Sequence, residues 1–412
     1  MAASADPASS RNSILLRSGW ATSNIGDVGH TPGTLRYLAE NLPEARVTLW
    51  LAVTSPAVTA MLQRRFLNVP IVSGDMDANG RATDPELQRA FDDADLFVMN
   101  SGMLFTGFWP GPDDLLRACV GRGLPFGLFG QSFDAFQPGD EAERIALLSQ
   151  ARFIFCRDNE SLAYLRRAGA QPGALEFGPD GCFGIDVRDE ATAGAFLAHH
   201  GLETGRFITV TIRTNTPKLG KSGNGDPLNP GVPTAAHVEQ DEHWAAQLRT
   251  IIEAWVRDGR GKVLLAPEVD KEISAAKRLL LDRLPADVQA QVVHRDTFWT
   301  VEEAASVYAR AACVVSAEPH SCIIALAAGT PILHTFSRRH GLKAWMFRDI
   351  GLPEWLIDID AEPASRMVDA LRRIDDDPQL SRAKVARAMA FVNAREAEMV
   401  REIRTTLAMT KR

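Results

Sequence analysis

Short apolar runs alternating with amphipathic helical stretches predict an α/β protein made of two Rossmann-like domains facing a cleft. Three observations carry this. Runs of buried-strand composition recur, and each is followed by a loop of Gly, Ser, Asn or charged residues. They come in two series, separated by a lapse of the strand pattern across residues 186–204. The length, 412 residues, leaves room for two to three domains at about 150 residues each.

In chain order, residues 1–13 read as a disordered lead of Ala, Ser and Asp without the apolar core of a secretory signal. An N-terminal domain is expected over 14–195. Its first strand lies at 11–17, through Ile14, Leu15 and Leu16, and ends in a Gly-containing turn. A helix over 34–42 follows, with Leu35, Leu38 and Leu42 apolar, then strands at 47–53, 95–99 and 125–129. A C-terminal domain is expected over 196–375. Its strands lie at 206–212 (RFITVTI), 262–266 (KVLLA), 313–316 and 331–334, with helices at 235–256, 301–311 and 321–328. Residues 214–233 are too rich in Gly, Pro, Asn and Lys, and too many, for an ordinary connection; they suit a lid, a binding loop or disorder. Residues 376–412 read as a charged helical segment.

Composition excludes several classes. Forty-five Lys and Arg against 52 Asp and Glu give a net charge of −7, so no global basic field awaits nucleic acid. No apolar run approaches the ~18 residues of a membrane span. Five scattered cysteines form no CxxC pair, which points to buried reduced thiols in a cytoplasmic protein. No metal-ligand spacing and no HExxH cluster occurs, so no metal is expected. The sequence leaves a homo-oligomer open.

In such folds ligands bind beyond the carboxyl ends of the strands, so polar residues just after strands are the candidates. Asn24-Ile25-Gly26-Asp27 follows the first strand; its glycine suits backbone approach to an anion, the plainer alternative being a tight turn with Asp27 or Thr31 capping the helix. Gly130-Gln131-Ser132 closes another strand, and Gln131 or Ser132 suits a substrate hydroxyl or simply a turn. Arg157 ends the run Phe153–Cys156 and suits an anion; the alternative is a surface pair with Asp158. Asp180 ends a further short run, placed to orient Arg157 or to bind sugar hydroxyls. Arg213 closes RFITVTI and suits phosphate or carboxylate. Glu318-Pro319-His320-Ser321 stands between a buried strand and an apolar helix, where an imidazole suits a general acid or a capping role. Lys343, with Arg338 and Arg339 as rivals, lies in the next connection.

Taken in order, these pieces resemble the polysaccharide pyruvyl transferase family, from Ser18 to about Trp355. The carriers are the Asn24–Asp27 and Gly130–Ser132 motifs, Cys156-Arg157-Asp158-Asn159-Glu160-Ser161, Ile212-Arg213, and the stretch 314–331 (VVSAEPHSCIIALAAGTP). The resemblance implies a GT-B-like fold. It implies transfer of enolpyruvyl from phosphoenolpyruvate to a sugar hydroxyl of a polysaccharide or lipid-linked saccharide, giving a pyruvate ketal and phosphate. It also implies no cofactor besides the co-substrate phosphoenolpyruvate. His320 matches the family's histidine and would be the acid, with Asp27 or Asp180 on the acceptor hydroxyl. Arg157, Arg213 and Lys343 would hold the donor's phosphate and carboxylate, and Asn24, Gly26, Gln131, Ser132, Glu318, Ser321 and Arg339 complete the expected binding set. The family's usual Arg-Leu-His is Glu318-Pro319-His320 here, an anion in place of a cation. Two alternatives stay open: a GT-B glycosyltransferase using a nucleotide sugar, for which Glu318 suits hydroxyl contacts, and a non-catalytic glycan-binding protein.

Overall fold

The computed structural model describes residues 12–106, 111–137, 139–215 and 234–410. It contains two parallel sheets, one in each of two compact units. The first unit comprises, among the described residues, 12–22, 30–184 and 393–410; the second comprises 23–29 and 185–392.

In the first unit the strands are β1 (Ser13–Ser18), β2 (Arg46–Leu51), β3 (Ile71–Ser73), β4 (Leu96–Met99), β5 (Gly102–Phe105), β6 (Phe126–Phe133), β7 (Phe153–Cys156) and β8 (Leu175–Phe177). Their order is β3-β2-β1-β4-β6-β7-β8, with β5 paired to β6. All these pairings are parallel. Parallel sheets are covered on both faces, which is why β6 can be Phe-Gly-Leu-Phe-Gly-Gln-Ser-Phe and buried at every position. Phe129, Phe153 and Phe155 form a ring cluster at its centre, 5.4–5.9 Å between centroids.

In the second unit the strands are β9 (Phe207–Thr211), β10 (Lys262–Leu265), β11 (Val292–His294), β12 (Cys313–Ser316), β13 (Ile332–Phe336) and β14 (Leu356–Asp358). The order is β11-β10-β9-β12-β13-β14, again parallel throughout. Order reverses at β9, the switch point of a doubly wound sheet. β9 and β12 are buried at every position, which β-branched side chains packed from both faces favour.

Four expectations need correction. The helix expected over 34–42 runs Ile25–Asn41, so Ile25, Gly26 and Asp27 form its first turn and are not a loop. Asn24, and neither Asp27 nor Thr31, caps it: Asn24 Oδ1 accepts the Gly26 and Asp27 N–H groups at 2.7 and 3.4 Å. Gln131 and Ser132 lie inside β6, which runs to Phe133, rather than in a turn. Of residues 214–233, 216–233 lie outside the described residues, as do 1–11; Ser13, placed in the lead, opens β1. All five cysteines are buried. Among the described residues no helix is long and apolar enough to cross a membrane.

Candidate functional site

In the second unit, four neighbouring strands each deliver charge at or beyond their carboxyl ends. Arg213 follows β9, Glu268 follows β10, Glu318 and His320 follow β12, and Lys343 follows β13 in a 3-10 segment, Arg338–Ala344. The Pro319–Ala327 helix begins here, with Pro at its first position and His320 and Ser321 in its first turn.

His320 is 4% exposed. Its Nδ1 lies 3.3 Å from Glu268 Oε1. The other oxygen of Glu268 accepts the Ser321 backbone N–H at 2.5 Å, and the Ser321 hydroxyl also bonds this carboxyl. Tyr308, on the Val301–Tyr308 helix, donates its hydroxyl to Ser321 Oγ at 3.1 Å. The loop bearing Glu268 is tied down by Glu272, whose Oε2 accepts the Glu268 and Val269 N–H groups at 3.0 and 3.1 Å. Opposite the imidazole runs the Asn24–Asp27 segment. Ile25 N–H bonds the Glu268 carbonyl at 3.0 Å, and Asp270 N–H bonds the Ser23 carbonyl at 3.1 Å. A Cβ on Gly26 would stand 2.2 Å from His320 Cγ, so only glycine admits the ring here.

Electrostatics separate these groups. Burial, then the Glu318 charge, pushes the Glu268 carboxyl up, against the Ser321 bonds and Lys343. Glu272 is pushed well up by burial and by both other glutamates. Burial acts on Glu318 the same way, but Arg213, Lys343, Lys271 and His320 together hold it below the usual range. Arg213 Nη1 donates to Glu318 Oε2 at 2.8 Å. Two further histidines stand near the same cations. Burial lowers His334 to about 4, and burial with Arg213 and Lys343 lowers His340. Both are thereby kept neutral, whereas His320 has a carboxylate partner.

In the first unit Arg157 is 1% exposed and does not form the surface pair with Asp158. It donates from Nε to Ser132 Oγ at 2.8 Å and from Nη1 to Asp180 Oδ2 at 2.7 Å. Asp180 Oδ1 lies 3.2 Å from His30 Nε2 and accepts the Cys182 N–H at 2.8 Å. Asp158 instead caps the Asn159–Arg167 helix, accepting Ser161 N–H at 2.7 Å and the Ser132 hydroxyl at 2.8 Å. Gln131 donates its amide to the Asn100 carbonyl.

A model of the family described as polysaccharide pyruvyl transferase matches residues 24–335. The chain belongs to that family. No curated protein matches it in sequence. Among solved structures, a UDP-GlcNAc 2-epimerase from Neisseria meningitidis is 10% identical, with 95% of this chain and 100% of that chain covered and a TM-score of 0.55. A putative UDP-N-acetylglucosamine 2-epimerase from Listeria monocytogenes is 12% identical, with 91% of each chain covered and a TM-score of 0.58. Anabaena HepE, in complex with UDP and glucose, is 13% identical, with 97% and 100% covered and a TM-score of 0.55. These likenesses show the fold, the GT-B-like pair of parallel α/β domains read from sequence.

Of the residues that the polysaccharide pyruvyl transferase pattern selects, Asn24, Gly26, Glu318, His320 and Ser321 meet in one cluster, with Arg213 bonded to Glu318. Asp27 is half-buried in the adjacent helical turn. Arg339 is exposed and Lys343 half-buried. Arg157, Asp180 and Ser132 form a separate bonded group within the first unit. Sequence reasoning passed over Glu268, Glu272 and Tyr308. Glu268 had a signal, since Ala266-Pro267-Glu268 directly follows the strand KVLL.

Proposed function

We propose that this member of the family transfers the enolpyruvyl group of phosphoenolpyruvate to hydroxyls of a polysaccharide or lipid-linked saccharide. The observation that supports it is the His320 imidazole held by Glu268 in the first turn of a helix, with Arg213 at the adjoining Glu318. The charge of Lys343 bears on both glutamates, and that of Lys271 on Glu318.

In this reading His320 gives a proton to the methylene carbon of the donor, making it a methyl group and leaving an oxocarbenium-like centre at the adjoining carbon. A sugar hydroxyl attacks that centre and loses its proton, with Asp27 as acceptor. Phosphate departs, a second hydroxyl closes the ketal, and the two hydroxyl protons balance the one spent on the methyl group and the one taken up by phosphate. Acid–base help of this kind is worth roughly 10²–10⁴ in rate. Arg213, Lys343 and Lys271 supply positive charge for the donor's phosphate and carboxylate, aided by the helix N-terminus. Asp180, with both oxygens engaged by Arg157, His30 and Cys182, serves as a strut. The buried thiols favour a cytoplasmic setting.

The test is incubation with phosphoenolpyruvate and a broad saccharide panel, following phosphate and the new methyl signal of a ketal. Release that disappears in His320→Ala is expected; absence of release from every acceptor overturns the reading. One observation favours a second reading. Glu318 already engages Arg213, leaving less charge for a two-anion donor and a carboxylate suited to hydroxyls. That pattern fits a nucleotide-sugar glycosyltransferase. Thermal stabilisation by uridine or guanosine diphosphate but not by phosphoenolpyruvate would decide for it.

A further inference from the structure

We infer that Glu268 is the positioning residue of His320: its carboxylate takes the imidazole Nδ1–H, fixing the tautomer that leaves Nε2 as the atom exchanging a proton with the substrate. The catalytic consequence rests on the function proposed above; the geometry does not.

The two residues are 52 apart in sequence, yet the carboxyl is clamped to the imidazole's own helical turn. One oxygen faces Nδ1 at 3.3 Å, while the other takes the N–H of the next residue, Ser321, at 2.5 Å. A carboxyl needed only to cap that helix would use one oxygen. Here the second is spent on the ring. Glu268 is completely buried, its loop is fixed by Glu272, and the Gly26 backbone closes the ring from another side. The ring therefore cannot flip its nitrogens without losing Glu268. A buried carboxylate also stabilises the imidazolium, so it sets how tightly His320 holds its proton. The groups coupled by charge to Glu268 include Glu318 at the N-cap of the His320 helix and Cys322 within it, Glu272 at the start of the next helical turn, Tyr308 and Lys343.

The experiment is nitrogen-15 NMR of the full chain labelled at histidine, with the His320 signals assigned by their loss in His320→Gln. In the wild type, the neutral ring should carry its proton on Nδ1. In Glu268→Gln, the His320 proton affinity should fall about tenfold or more. The high-pH limb of the kcat profile should move to lower pH with little change in donor KM, and Glu268→Asp should restore part of both. An Nε2–H tautomer in the wild type overturns the inference without any variant. So does a folded Glu268→Gln with unchanged tautomer and proton affinity. Should the NMR behave as expected while phosphoenolpyruvate yields no product with any acceptor, the proposed transfer fails and the positioning role stands.

Discussion

Replacing Gly26 by alanine tests the packing of the site directly. An alanine Cβ would fall 2.2, 2.3 and 2.4 Å from Cγ, Nδ1 and Cβ of His320, about an ångström inside normal contact. The ring has little room to retreat, because it is buried and its Nδ1 faces Glu268. Overpacking of a filled site costs about 1–3 kcal/mol. Alanine recovers up to about 1 kcal/mol of helix propensity within Ile25–Asn41. The net expectation is a loss of about 1–2 kcal/mol, or roughly 2–4 °C in melting temperature for each kcal/mol. His320→Ala removes the obstructing ring. In that background the same substitution should be neutral or stabilising, a coupling of about 1–3 kcal/mol between the two positions. Urea unfolding followed by tryptophan fluorescence measures all four corners of the cycle. Equal effects of Gly26→Ala in both backgrounds would refute the idea that this glycine exists to admit the imidazole.

Three further outcomes follow from the first unit and the long C-terminal helix, Pro378–Thr410. Arg157→Met or Asp180→Asn alone strands a buried charge and should cost about 3–5 kcal/mol, while the double variant should recover much of that in the same urea assay. Asp158→Ala removes a helix cap and should cost about 1–2 kcal/mol, detectable as faster amide exchange in Asn159–Arg167. Burial raises Glu396 from 4.5 to about 7, Arg36 opposing and Glu40 assisting. The folded state then holds this proton more tightly than the unfolded state. Its stability is complete below pH 4.5 and is lost as pH rises through about 7, by on the order of 3 kcal/mol. Glu396→Gln should flatten that part of the stability profile; an unchanged slope would show that another group is responsible.

The strands that sequence reveals are those buried on both faces. β9, β10 and β12 are continuous apolar or β-branched runs, and the expected 313–316 coincides with Cys313–Ser316. β3, β8, β11 and β14 span three residues each, too short to carry a period, and all four lie at the ends of the sheets. The first turn of Ile25–Asn41 reads as a loop because Gly26, Gly29, Pro32 and Gly33 are poor helix formers. At Gly26 the propensity lost is the condition for His320's approach, a contact that joins residues almost 300 apart and leaves no local trace. Arg157 misleads for a related reason. Its neighbour Asp158 is the obvious partner, but that carboxylate is needed at the Ser161 N–H, so the guanidinium reaches Asp180 instead.

The site residues are scattered in sequence, but sheet order explains their assembly. Arg213, Glu268, Glu318 and Lys343 follow the second, first, third and fourth of the strands β10-β9-β12-β13 as they lie side by side. In a parallel sheet all carboxyl ends share one edge, so residues that follow adjacent strands become neighbours whatever their separation along the chain. Glu318 and Arg213 follow β12 and β9, which pair directly, and their ion pair joins the two strand ends at 2.8 Å. Glu268 follows β10, on the other side of β9, and reaches His320 across it. Glu318 is therefore paired with Arg213 on this edge, while Glu268 keeps its own contact with His320. Glu318 bears on Glu268 and His320 through its charge and not through a hydrogen bond to either ring nitrogen, so under the proposed function Glu318→Gln should change donor affinity and shift the His320 proton affinity while leaving its tautomer unmoved.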